Sequence, residues 1–289
     1  MGLARTGELL EAARGAGGGL GAFNVVGLEH AEGIVAGAER VGGAVVLQVS
    51  ERTVRFHGER LRPIADACLA LARAAAVPVS VHLDHATAPE LCEEAMALGL
   101  SSVMFDGSAL DYEANVAATA AVVATGHRHG VAVEAELGEV GGKDGVHSPG
   151  ARTDPGEAAR YVEATGVDAL AVAIGSSHAM LRKEAMLDFE LLERLRCVLP
   201  VPLVLHGSSG VADGDLERAV RSGIVKVNVG TELNKAFTDA CRTTIAPTEV
   251  VDPRRYLDAG RTAVAESVAR VLRVIDRARR APGPDEETA

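Results

Sequence analysis

Residues 79–85 read VSVHLDH. Valines alternate with Ser80 and His82, and the run closes on Asp84 and His85, side chains that can move protons or hold a cation. A short run rich in Val that ends on polar groups predicts a buried parallel strand over 79–83 opening onto a site. Runs of the same kind recur along the chain at a nearly constant interval, at 20–25, 44–49, 102–105, 131–137, 169–174, 203–205 and 225–229. Longer amphipathic stretches rich in Ala, Glu and Arg separate them, which predicts crossover helices between parallel strands.

Eight such units in 289 residues fit one (β/α)8 barrel, a TIM barrel, over residues 1–281. Two helix starts are marked by a capping side chain before Pro, Thr153-Asp154-Pro155 and Asp252-Pro253. An extra C-terminal helix is expected at 262–278, followed by an acidic, Pro-rich disordered tail at 282–289. The long connection at 138–152 holds five glycines and a proline, and a connection of that length in a compact barrel is usually functional.

Aromatics make up only 3% of the chain and Trp is absent, so Ala, Val, Leu and Ile must fill the core. A net charge of −11 with no basic stripe argues against nucleic-acid binding. Cys68, Cys92, Cys197 and Cys241 are far apart and fall in expected helices, so they read as buried free thiols of a reducing cytoplasm. The first fifteen residues lack a continuous apolar segment and no run of 18 apolar residues occurs, so neither secretion nor a membrane span is expected.

The polar residues Asn24, Ser50, Asp84-His85, Asp106, Glu134 and Glu136, Ser176 to His178, His206 to Ser209 and Asn228 all fall at expected C-terminal strand ends. In a parallel barrel those ends converge on one face, where active sites are built. Three strand ends each offer one imidazole, His85, His178 and His206, the donor set of a catalytic zinc ion with an open position. Of the other histidines, His82 reads as a core residue or one that supports a ligand from behind. His127 and His129 suit a helix end, and a lesser site role stays open for His30 and His57.

Asp84 beside a ligand suits general acid/base work, and orienting an imidazole is the alternative. Orientation is assigned rather to Asp106 and to Glu134 or Glu136, where alternation in VEAELG is taken to send one inward and the other outward. The loops HGSSG (206–210) and NVGTE (228–232) follow strands seven and eight, where barrels bind phosphate on backbone N–H groups and hydroxyls. Arg182, Lys183, Arg254 and Arg255 are the candidate sources of local positive charge.

The segments GAFNV, VHLDHA, SVMFDGS, VEAELGEVGG, AIGSSHA, LDFELLERL, HGSSG, KVNVGTE and DPRRYL, in order from Phe23 to Arg270, resemble the motifs of class II, metal-dependent fructose-bisphosphate and tagatose-bisphosphate aldolases. The resemblance implies a lyase with Asp84 as proton donor and acceptor and with Zn2+ on His85, His178 and His206. It implies that Gly207, Ser208 and Ser209, together with Asn228, Val229, Gly230 and Thr231, hold dihydroxyacetone phosphate, with Asn24 and Ser50 nearby. Members similar to this chain are homodimers or homotetramers, and some use a monovalent cation beside the phosphate.

The chain departs from the pattern in three places: Ala179 stands where Gly usually follows the second ligand, GSSG replaces GGSG, and the glycine loop offers Lys143 and Asp144 where Glu precedes Asp. Asp144 then becomes the expected second proton-transfer group. The implied substrate is a small phosphorylated sugar. An aldolase for another phosphorylated keto-sugar or keto-acid, or a non-catalytic sugar-phosphate sensor, is the alternative.

Overall fold

The strands pair in sequence order and β8 returns to β1, so the sheet closes. They are β1 (Leu20–Asn24), β2 (Val45–Ser50), β3 (Val79–Ala86), β4 (Ser102–Phe105), β5 (Ala132–Glu136), β6 (Ala169–Ala171), β7 (Leu203–Leu205) and β8 (Ile224–Val229). The helices are α1 (Thr6–Gly15), α2 (Leu28–Val41), α3 (Glu51–Phe56), α4 (Arg62–Ala74), α5 (Pro89–Leu98), α6 (Tyr112–His129), α7 (Pro155–Thr165), α8 (Phe189–Val198), α9 (Asp213–Arg221), α10 (Thr231–Ile245) and α11 (Pro253–Arg280). This computed structural model describes residues 2–137, 152–176, 182–247 and 249–280. The protein is thus a (β/α)8 barrel with an extra C-terminal helix. The expected tail at 282–289 and most of the long connection at 138–152 lie outside the described residues.

Strand alternation builds two different interiors. Outward residues such as Phe23, Leu47, Val81, Leu83, Phe105, Leu170, Leu205 and Val227 pack against the helices in one continuous apolar cluster. Inward residues at the N-terminal end, Leu20, Ala22, Val46, Met104, Ala169 and Val204, form a second cluster with Leu10 and Ala13 of α1. Helix α1 therefore plugs that mouth with apolar surface. Above it the inward positions are polar and buried, among them Gln48, His82, Asp84, Glu134, Glu136, Lys226 and Asn228.

Two local expectations need correction. The helix expected at 262–278 is the end of a 28-residue helix that begins at Pro253, so the second predicted start and the final helix are one element. The other start holds as read: the Asp154 side chain accepts from the Glu157 N–H at 2.8 Å, with Pro155 in the first turn of α7. All four cysteines are free and helical, but only Cys68 and Cys92 are buried; Cys197 is exposed and Cys241 half-buried. Burial pushes the Cys68 and Cys92 thiols up to about 12, so both are inert as nucleophiles at neutral pH.

Helix α11 crosses α2 at two glycines. A Cβ on Gly33 would stand 2.7 Å from the Arg261 carbonyl oxygen, and one on Gly37 2.6 Å from that of Ala265. Backbone cannot swing aside as a side chain can, so the helices must separate. Gly37→Ala is expected to lose about 1–3 kcal/mol through overpacking, offset by roughly 1 kcal/mol of helix propensity. A lowered urea midpoint checks this, and an unchanged or raised midpoint contradicts it.

Candidate active site

Strand pleating alone would place Asp84 inside the barrel and His85 outside it. Both are at the site because β3 breaks its register with β4 between Leu83 and Ala86, and His85 takes a left-handed φ of 50°. For a side chain without special tolerance that backbone costs about 1–2 kcal/mol. It turns the imidazole back over the strand ends, and backbone strain of this kind concentrates at functional sites.

Each imidazole is locked by a carboxylate behind it. His85 Nδ1 donates to Asp106 Oδ2 at 2.8 Å, and His206 Nε2 donates to Glu134 Oε1 at 3.0 Å. Carboxylates only accept, so each ring turns its other nitrogen, an acceptor, toward the site. Those two nitrogens, His85 Nε2 and His206 Nδ1, stand 3.1 Å apart. Two lone pairs at that distance repel unless a cation or a proton lies between them. The side-chain amide nitrogen of Asn228 also lies 3.0 Å from His206 Nε2.

The field favours a cation. Burial opposes charge on His85, but Asp84, Asp106 and Glu136 outweigh it and raise its pKa to about 10. Burial likewise pushes Glu136 up to about 8. Burial would raise Asp106 too, yet its hydrogen bonds from His85 and Ser108 hold it well below the usual range. Buried His82 is held neutral by desolvation and by Lys226. Ligand atoms of Asp84, His85 and His206 all lie within 4.8 Å of one another, as do those of His85, Asp106 and Glu136. This donor set fits a divalent metal ion.

Glu134 and Glu136 are both buried and both face inward, which corrects the expectation that alternation splits them: residues two apart share a face of a strand. Asp84 is 3% exposed, and its Oδ2 accepts from Asn24 Nδ2 at 3.2 Å. Its Oδ1 has no hydrogen-bond partner among the described residues.

A cavity of about 620 Å³ opens over these groups. It is lined by Asn24, Ser50, Asp84, His85, Asp106, Gly207, Ser209, Asn228, Gly230 and Thr231, all singled out in the sequence. The N-terminus of α10 begins at Thr231 on its wall, beside Ser209, whose hydroxyl accepts from the Glu232 N–H at 3.1 Å. Gly230 has to be small there, because a Cβ would stand 2.9 Å from Asn24 Oδ1.

Other expected positions fall elsewhere. Ser208 is buried and donates to the Asn228 carbonyl, tying the loop after β7 to β8, and Val229 packs into the outer apolar cluster. Ser50 caps α3, accepting from the Thr53 N–H at 3.3 Å, while still lining the cavity. Lys183 pairs with Asp213, Arg182 with Glu184 and Arg254 with Asp252, and neither these cations nor Arg255 line the cavity. The lining cations are Arg52 and Arg55 of α3, a short helix not foreseen from the sequence. Lys226 was also missed; its signal was its spacing two residues before Asn228, on the same face of β8. His178, Ala179 and Asp144 lie outside the described residues.

Fold and site together describe a (β/α)8 barrel with a candidate cation site at its strand ends. A family model described as fructose-bisphosphate aldolase class-II matches residues 4–280. The chain is 40% identical over 267 residues to a 6-phospho-5-dehydro-2-deoxy-D-gluconate aldolase of Shouchella clausii, covering 91% of each. It is 39% identical over 259 residues to a fructose-bisphosphate aldolase of Geobacillus stearothermophilus, covering 88% of this chain and 90% of that one. The crystal structure of the YdjI aldolase from Escherichia coli K12 superposes with a TM-score of 0.83 at 33% identity, covering 94% of this chain and 97% of that one. The chain belongs to the class II fructose-bisphosphate aldolase family, whose members are metal-dependent lyases acting on small phosphorylated sugars.

If Asp106 locks the His85 ring, Asp106→Ala should weaken divalent-metal affinity about 10–100-fold. Chelator competition on the folded variant measures it. Wild-type affinity would remove Asp106 from this role.

Proposed function

We propose that the protein is a zinc-dependent aldolase that reversibly cleaves a ketose 1,6-bisphosphate, fructose or tagatose, to dihydroxyacetone phosphate and glyceraldehyde 3-phosphate. The observation that carries this reading is the pair of imidazole acceptors 3.1 Å apart beside Asp84. His85 and His206 would hold the ion with His178 as third ligand. When bound, it supplies Lewis acidity to the oxygens of the sugar.

The chain's own groups do the rest. Asn24 holds one oxygen of Asp84 at 3.2 Å, leaving Oδ1 to take the proton of the C4 hydroxyl. The C3–C4 bond then breaks, C4 leaves as the aldehyde, and the electron pair on C3 delocalises toward the C2 carbonyl. Asp144 would return a proton to C3. Gly207, Ser209, Asn228, Gly230 and Thr231 would bind the phosphate and hydroxyls of the retained half, beside a monovalent cation if one is used.

A second reading rests on the 40% identical relative named for a phosphorylated deoxygluconate, whose distal end is a carboxylate rather than a phosphate. Arg52 lines the cavity, is exposed and makes no ion pair among the described residues, so it suits either anion. Coupled assays across fructose and tagatose bisphosphates and the deoxygluconate separate the two readings by kcat/KM. A homodimer or homotetramer, as the family resemblance implies, in a reducing cytoplasm completes the proposal, and the four free thiols suit that compartment.

A chelator should abolish turnover and zinc should restore it; full activity of metal-free protein would end the proposal. Asp84→Ala should lower kcat by about 10² to 10⁴ with zinc stoichiometry unchanged. Recovery of wild-type turnover in excess zinc would instead make Asp84 a ligand or an orienting group, and full turnover without it would remove it from the mechanism.

A further inference from the structure

Lys226 is 0% exposed at the centre of the barrel, where an ammonium has no water to leave for. Its Nζ donates to Glu134 Oε2 at 2.6 Å and lies 3.4 Å from His82 Nε2. The other oxygen of Glu134 accepts from His206 Nε2 at 3.0 Å, so the carboxylate bridges Lys226 and the imidazole. The His82 tautomer follows from its far side. Ser102 Oγ spends its one proton on Thr6 Oγ1 at 2.7 Å, so at 2.8 Å it can only accept from His82 Nδ1. His82 Nε2 is then an acceptor, as a neighbouring ammonium requires.

A column of hydrogen bonds therefore runs from His206 through Glu134, Lys226, His82 and Ser102 to Thr6, the first residue of α1. Neither Lys226, His82 nor Glu134 lines the large cavity, so none touches a substrate there. Stability does not account for the column either, because a buried ion pair is often matched or bettered by apolar side chains of similar volume.

We propose that Lys226, supported by His82, is a positioning residue for the metal ligand His206, holding Glu134 in the one placement that fixes the plane and tautomer of that imidazole. A carboxylate without Lys226 would be free to turn away from His206 and toward whatever water or proton it could find. The ring would then lose the lock that keeps Nδ1 unprotonated and aimed at His85 Nε2. The inference rests on the metal-site reading above and extends it to residues buried beneath the ligands.

The test is zinc affinity of metal-free protein by chelator competition, for wild type, Lys226→Met and the double variant Lys226→Met/Glu134→Gln. Lys226→Met should bind zinc about 10–100-fold more weakly, with KM little changed and kcat largely restored by excess zinc. The double variant should regain part of the affinity, since the uncharged amide can still accept from Nε2. Wild-type zinc affinity in folded Lys226→Met overturns the proposal, whatever its thermal stability, and so does borohydride trapping of substrate carbonyl on Lys226. If Lys226→Met does not fold, imidazole nitrogen shifts of metal-free wild type decide. His206 held as the Nε2–H tautomer supports the lock, and an Nδ1–H or exchanging ring overturns it. Failure of wild type itself to bind zinc would refute the metal-site reading instead.

Discussion

Charge buried inside the closed sheet is the constraint on which the rest depends. Among the described residues, Asp84, Glu134 and Glu136 share one buried interior with the ammonium of Lys226, and Asp106 stands half-buried at its rim. An ion taken from water into such a place costs several kcal/mol unless it is paired and hydrogen-bonded. The side chains around them meet that demand one oxygen at a time: Asn24 for Asp84, His85 and Ser108 for Asp106, His206 and Lys226 for Glu134. The carboxylates gather where the two imidazoles converge, and the same field that raises the His85 pKa favours a cation at that point. Apolar side chains at these positions would make an ordinary barrel core and no site.

The same constraint explains the division of the barrel along its axis. Its N-terminal mouth is covered by α1 through Leu10 and Ala13, with a small pocket of about 10 Å³ left against His82 and Glu134. Its middle layer is polar and buried, and its upper layer opens on the large cavity. Energy spent on strain also falls in that upper layer, at His85, where the register break of β3 lets two consecutive residues serve one site. A regular strand would have wasted one of them on the helix-facing side.

Much of this was legible in the sequence because runs rich in β-branched residues are a local signal. Strands β4 and β7 form at the residues read for them, and β3 runs three residues further because the bulge carries pairing to Ala86. Strand β6 stops at Ala171, short of the expected 174, because Ala173 pairs instead with Thr153, which accepts from its N–H at 2.8 Å. What stayed hidden is what depends on closure. Lys226 was passed over because lysines usually lie on solvated faces, and its partner Glu134 is 92 positions away. Asp84 and His85 were recognisable as a pair of functional groups, but nothing local announces the left-handed backbone that makes them usable together.

Closure also brings the two imidazoles together. The two imidazoles come from β3 and β7, strands on opposite sides of the barrel, and their locks come from β4 and β5. The 3.1 Å between their acceptor nitrogens is set across the barrel, by the left-handed backbone at His85 on one side and the residue that follows Leu205 on the other. Tight crossings such as that of α2 and α11 at Gly33 and Gly37 belong to the packing that holds this wall in place. A site assembled across a closed sheet gains rigidity that loops do not supply, and for that reason its donors can be few and its supporting residues buried out of reach of substrate.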